Sequence, residues 1–269
     1  MDDVIGPLKI AIWQTGSADL ALLREQALAS ASAGARLLVT PEAFTSGYAV
    51  PGLHQVAQPA AGAWAEEVAT IATVSGLAIL YGYPERVGDQ VFNSAQLIDH
   101  DGRALANYRK SHLYGEVDTS TFERGAGDVA IVGLDGVNVG ILICYDVEFP
   151  EAVRALALAG ADVVAVPTAL MRPYEIVART LVPSRAYENQ VYVAYANRSG
   201  REGGLAYCGE SCVVGPDGRD LARAGSGDEL LLAEIDPARL ASSRADNTHL
   251  GDRRPELYGV LTRREDDTP

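Results

Sequence analysis

The chain has 269 residues, 36 acidic against 22 basic, and a formal charge of −14. At 48% hydrophobic it can bury a sizeable core, which excludes wholesale disorder. The acid excess argues against nucleic acid, which needs a basic face, and disfavours an anionic membrane surface.

Three cysteines, Cys144, Cys208 and Cys212, are an odd count in so long a chain. They do not make a disulfide framework and fit a reducing compartment. The start, MDDVIGPLK, has no basic stretch followed by an apolar one, so no secretory leader is expected. The most apolar long segment, 152–170, contains Arg154 and Asp162 and breaks at Gly160. No transmembrane helix is expected, and a cytoplasmic location is the default.

Along the chain, short apolar runs alternate with amphipathic stretches. LKIAIWQ (8–14) predicts a strand, and residues 18–33 a helix stopped by Gly34. RLLVT (36–40) predicts a strand, 63–75 a helix ended by Gly76, and 77–83 another strand. Residues 91–99 and 103–110 flank an Asp-His-Asp-Gly turn and predict a hairpin. A buried strand is expected at 137–145. A helix from Pro150 to Gly160 should follow, with proline at its first position and Glu151 beside the helix dipole. A strand at 162–169 and a helix at 174–189 come next. The strands 191–197, 206–214 and 230–236 close the series, with a hairpin turning on Pro216-Asp217-Gly218. Alternating strands and helices imply an α/β protein with mixed rather than purely parallel sheets. We expect a single domain over 1–250 and a charged tail over 251–269, which could wrap a neighbour or fray.

Three residues follow strands and have complementary chemistry: Glu42 in VTPEAF, Lys110 after NYR, and Cys144 after ILI. In α/β sheets, sites gather at the carboxyl ends of strands. Singly, each has an ordinary reading: a surface acid, a solvated lysine, a small core thiol. Together they make a nucleophile, a proton acceptor and a cation. The cation lowers the thiol pKa and stabilises an oxyanion, helped by the backbone N–H of Tyr145.

TPEAFTSGY, YRKSHLYG and LICYDVEFPE resemble, in order and spacing, the three signature segments of the nitrilase superfamily of carbon–nitrogen hydrolases. The resemblance continues through VPTAL, SRAYENQVYVAYAN and GESCVVGPDGR, from Lys9 to about Asp236. It implies a Glu-Lys-Cys set at Glu42, Lys110 and Cys144. It also implies an α-β-β-α sandwich with two mixed β-sheets, assembled as a homodimer or larger homo-oligomer. Many members carry a second glutamate that positions the lysine. Here Glu116 and Asp118 are both candidates, since Asp118 stands four residues before Phe122 where some members have Glu. By motif position, Phe44, Tyr48, Tyr114, Tyr145, Ala169 and Asn197 are candidate pocket liners.

Cys144-Tyr145-Asp146 followed by Glu148-Phe149-Pro150-Glu151 looks like the amidase branches. The expected activity is hydrolysis of a small carboxamide through a cysteine thioester, without metal or cofactor. The alternatives are a nitrilase or an N-carbamoyl hydrolase on the same three residues, and a non-catalytic binding scaffold. A Cys-His hydrolase would need His112, two residues past Lys110, to enter the site. Cys208-x-x-x-Cys212 has no second pair, so packing is expected there rather than metal. Gly200–Gly204 lacks a P-loop lysine and reads as a turn.

Overall fold

A computed structural model describes residues 6–262. The first residues of the acidic start (1–5) and the end of the charged tail (263–269) lie outside the described residues, and with them part of what was expected of both termini.

The first half runs β1 (Leu8–Gln14), α1 (Leu20–Ser32), β2 (Leu37–Val39), the short α2 (Leu53–Val56), α3 (Ala63–Ser75), β3 (Ala78–Val87), β4 (Gln90–Ile98) and β5 (Ala104–Arg109). Asp19 caps α1 by accepting the Ala21 N–H at 2.7 Å, and Gly76 ends α3 in the left-handed region. The second half runs α4 (Gly115–Thr119), β6 (Ile131–Leu134), β7 (Val137–Ile141), a 3₁₀ turn (Cys144–Glu148), α5 (Pro150–Leu158) and β8 (Val163–Pro167). After a wide helical turn (Val177–Leu181) come α6 (Val182–Asn189), β9 (Tyr192–Ala196), β10 (Arg201–Glu202), β11 (Leu205–Ala206), β12 (Cys212–Val214), β13 (Asp220–Arg223), β14 (Glu229–Ile235) and α7 (Pro237–Asp246).

Two six-stranded mixed sheets result, ordered β14-β1-β2-β3-β4-β5 and β13-β12-β9-β8-β7-β6. Alternation along the strands explains the layers. In β1, Ile10 and Ile12 join the core shared with Val139, Ile141 and Val164 of the other sheet. Ala11 and Trp13 point the other way, onto Leu23 of α1 and Val68 and Ile71 of α3. On the second sheet, Val153 and Leu156 of α5 and Val182 and Ala186 of α6 complete the outer layer. The architecture is the expected α-β-β-α sandwich, its sheets packed face to face.

Several elements depart from expectation. The strand expected over 137–145 ends at Ile141, and the chain then tightens into the 3₁₀ turn. The helix expected over 174–189 is a regular α-helix only from Val182. Pro183 has no N–H to donate, and the turn before it widens. The strand expected over 206–214 is broken in two, because Gly209 and Glu210 both adopt positive φ, 68° and 58°. Cys208 and Cys212 therefore do not share a strand face; both are fully buried. Gly200–Gly204 is the turn region of the small β10–β11 hairpin.

Candidate active site

Glu42 and Cys144 occupy matching places in the two sheets. β2 and β7 each run parallel to a neighbour, and each residue lies three positions past its strand's end. Lys110 directly follows β5, and its N–H continues the ladder to the Asn93 carbonyl of β4 at 2.8 Å. The Glu42 segment crosses between the sheets: its N–H reaches the Thr168 carbonyl at 3.3 Å, and Thr45 donates to Gly82 at 3.2 Å. Gly82 is indispensable to that crossing. A Cβ there would stand 2.5 Å from the Ala43 nitrogen and 2.8 Å from the Pro41 oxygen.

The Lys110 ammonium is fully buried and donates to two carboxylates, Glu42 Oε1 at 2.7 Å and Asp118 Oδ2 at 2.6 Å. Asn93 adds a third hold on the site by donating to Glu42 Oε1 at 2.7 Å. Asp118 is fixed by the Tyr48 hydroxyl at 2.9 Å and the Tyr114 N–H at 2.8 Å. Of the two acids left open by the sequence, the structure thus brings Asp118 to the lysine. Glu116 is exposed on the outer side of α4. A five-residue helix has too little pattern to reveal its phase, so the sequence could not separate them.

Cys144 sits half-buried at the head of the 3₁₀ turn with φ of 46°. Only a fixed surrounding holds a non-glycine residue in that strained region. Asp146 supplies much of it. Its fully buried carboxylate accepts from the Ile143 N–H at 3.1 Å, the Tyr108 hydroxyl at 2.9 Å and the His112 N–H at 2.9 Å. His112 also lays its Nδ1 2.7 Å from Asp146 Oδ1 and stacks on Phe149 at 3.8 Å. It lines a separate hollow with Tyr108 and Ser111 and takes no place beside Cys144. That placement disfavours the Cys-His reading.

The electrostatics are those of a coupled buried cluster. Burial pushes Glu42 above its ordinary value, the Lys110 charge pulls it back, and the net direction is up. Burial works against the Lys110 charge, but Glu42 and Asp118 overrule it and hold the lysine well above its usual range. Burial and the Glu42 charge push the Cys144 thiol well up. The sequence suggested a lowered thiol pKa. Lys110 and the Ala169 backbone do pull that way, but they are outweighed. The thiol therefore holds its proton beyond the ordinary thiol range, with Glu42 beside it as the group placed to take it.

Cys144 opens onto a cavity of about 170 Å³. Tyr48, Tyr114, Tyr145 and Ala169 line it as expected by motif position, while Glu148 and Tyr174 were not foreseen. Phe44 instead packs on Trp13, ring centroids 5.4 Å apart. Asn197 is a buried clamp, accepting from the Leu170 N–H at 2.7 Å and donating to the Gly209 carbonyl at 2.6 Å. Arg198 also escaped the sequence reading. Its guanidinium, 1% exposed, donates to the carbonyls of Glu42 (3.2 Å) and Gly16 (3.2 Å) and so props the Glu42 segment from behind. Among the described residues, no group of three or more His, Cys, Asp or Glu could hold a metal ion.

With this geometry in place, the relatives can be compared. The model of the carbon–nitrogen hydrolase family matches residues 9–245. The chain belongs to the carbon–nitrogen hydrolase family. It is 49% identical to a hydrolase from Pseudomonas protegens, over 90% of this chain and 86% of that protein. It is 38% identical to an (R)-stereoselective amidase from Pseudomonas sp., over 89% and 87% of the two chains. Among solved structures it resembles an amidase from Nesterenkonia sp. AN1, seen as a variant in complex with acrylamide. The TM-score is 0.86 at 36% identity, covering 95% of this chain and 97% of that one. As a carbon–nitrogen hydrolase, the chain is an enzyme that cleaves C–N bonds other than peptide bonds. No helix among its described residues is long and apolar enough to cross a membrane.

Proposed function

We propose that the chain is an amidase that hydrolyses a small carboxamide to a carboxylate and ammonia through a thioester on Cys144. The observation that carries this reading is the buried Lys110 ammonium, bonded to Glu42 and Asp118, with Glu42 beside the Cys144 thiol that opens onto the cavity. An ammonium has three donors, and two are committed to the acids. The third serves the oxyanion, together with the Tyr145 N–H at the head of the 3₁₀ turn.

In acylation, Glu42 takes the Sγ proton as sulfur attacks the carbonyl carbon. Glu42 then delivers that proton to the nitrogen, the C–N bond breaks and ammonia leaves. In deacylation, Glu42 takes a proton from water, hydroxide adds to the thioester carbon, the C–S bond breaks and the thiol regains its proton. A raised carboxylate pKa suits a group that must both accept and donate near neutrality. Asp118 keeps the lysine charged and in place. At about 30 Å³ per water-sized group, the cavity suits an amide of about six non-hydrogen atoms.

The amidases among its relatives support the amide over the nitrile. Ammonia release from a panel of short amides, nitriles and N-carbamoyl compounds is the test. Amide turnover without carbon dioxide supports the reading; turnover confined to nitriles or carbamoyl compounds rejects it. Self-association as a homodimer or larger oligomer is part of the proposal and rests on family membership. Light scattering on the purified chain checks it, and a monomer at all concentrations would remove it.

A further inference from the structure

Glu148 is the one charged side chain lining the Cys144 cavity apart from the Glu42-Lys110-Asp118 cluster beside it. It ends the 3₁₀ turn that Cys144 begins, so nucleophile and carboxylate belong to one rigid unit. Among the described residues its carboxylate makes no hydrogen bond and no ion pair. The nearest cation by influence, Arg185, is committed elsewhere. Its Nε and Nη2 hold the carbonyls of Val147 (3.0 Å) and Glu148 (2.7 Å), and its Nη1 pairs with Glu188 at 3.0 Å. Lys110 is committed as well. Burial pushes Glu148 up, while Arg185 and Lys110 pull it down. Its oxygens face the cavity with no partner among the described residues, which leaves them free to pair with a charged group that enters it.

The rest of the wall is aromatic. Tyr114 meets Tyr145 edge to face at 5.3 Å and Tyr174 at 6.1 Å, which braces the three rings around the mouth. Tyrosine rings beside a carboxylate are the surroundings that favour a cation, through the ring quadrupole and the ion pair together. They are hostile to an anion, and three carboxylates around a single ammonium add to that.

We propose that Glu148 selects the substrate: the enzyme prefers short carboxamides whose acyl chain carries an ammonium group, and discriminates against those carrying a carboxylate. This rests on the amidase reading and names the substrate class for the same site.

Three amides test it: β-alaninamide (cationic) and butyramide (neutral), of six non-hydrogen atoms each, and succinamate (anionic), of eight, whose size Glu148→Lys separates from its charge. In the wild type, kcat/KM for β-alaninamide should exceed that for butyramide by at least about tenfold, with succinamate at least about tenfold lower still; a buried or half-buried charge pair is worth that much. In Glu148→Gln the cationic-to-neutral ratio should fall to within about threefold, and in Glu148→Lys the order should invert toward succinamate. Binding to Cys144→Ala, followed by calorimetry, ranks the same ligands without turnover. If no amide is hydrolysed but β-alaninamide still binds best, the amidase reading fails and the selection stands. A wild type that favours butyramide or succinamate overturns the proposal. So does a Glu148→Gln variant that lowers all three equally, the mark of a merely structural role.

Discussion

At Cys144, Glu42 and Lys110 the reaction is decided by protons. Cys144→Ala should abolish amide turnover while circular dichroism and melting stay close to wild type; residual turnover above about one per cent would reassign the nucleophile. Glu42→Gln keeps shape and the Asn93 contact but cannot accept a proton, so kcat/KM should drop by about 10²–10⁴. Asp118→Asn should cost about 10²-fold by misplacing Lys110, whereas Glu116→Gln, on the exposed side of α4, should change nothing measurable. The pH profile has a definite sign. Glu42 must be ionised to act, and its pKa lies above the ordinary 4.5, so activity falls as pH drops through that raised value. The alkaline limb needs loss of the Cys144 or Lys110 proton, and both are held above their ordinary 9.0 and 10.5. A kcat/KM profile with its acid limb at or below 4.5 would contradict the buried cluster. The Glu-Lys-Cys set was legible because each residue sits in a local string of recognisable neighbours. The roles of Asp146, Asn93 and Arg198 were not, because each depends on a partner far off in the chain: His112 is 34 residues from Asp146, Glu42 is 51 from Asn93, and Gly16 is 182 from Arg198.

At the scale of elements, the site depends on two chain crossings that tolerate little added volume. Gly82 on β3 lies against the Glu42 backbone, so Gly82→Ala must displace that backbone. It should destabilise by about 1–3 kcal/mol and depress kcat more than it depresses folding yield, measured by urea melts alongside rates. An equal loss in both would mean that the crossing does not position Glu42. Arg198→Met leaves the Glu42, Ala43 and Gly16 carbonyls without their donor. It should cost about 3–5 kcal/mol, or about 2–4 °C in Tm for each kcal/mol. Element boundaries were readable where a cap or a proline marks them, as at Asp19, Gly76 and Pro150. They were lost where apolar residues continue through a bend. VGILIC reads as one strand, yet the ladder ends at Ile141; AYCGESCVV reads as one strand, yet two left-handed residues divide it. β6 was missed although Asp135-Gly136, both at positive φ, is a hairpin turn signal before β7. The polar α7 offered little periodic pattern to find.

For the molecule as a whole, the two thiols outside the site bear on stability rather than chemistry. Cys208 is raised from its ordinary 9.0 to about 11 and Cys212 to about 12, both chiefly by burial. The folded chain keeps these protons where the unfolded chain sheds them, so stability is intact below pH 9 and falls as pH rises from there. Between the ordinary and raised values each thiol costs about 1.4 kcal/mol per pH unit. Thermal melts from pH 8 to 10.5 should show a slope that flattens in the double variant Cys208→Ala, Cys212→Ala; an unchanged slope would assign it to Cys144 and the buried tyrosines instead. The central claim, however, is the bond that forms on sulfur. Mass spectrometry of the enzyme quenched during turnover of butyramide or β-alaninamide tests it most directly. The account predicts a mass gain equal to the acyl group, carried on the peptide containing Cys144 and absent from Cys208, Cys212 and the Cys144→Ala variant. Sustained turnover with no acylated protein on quench, or with the acyl group on any other residue, would contradict it.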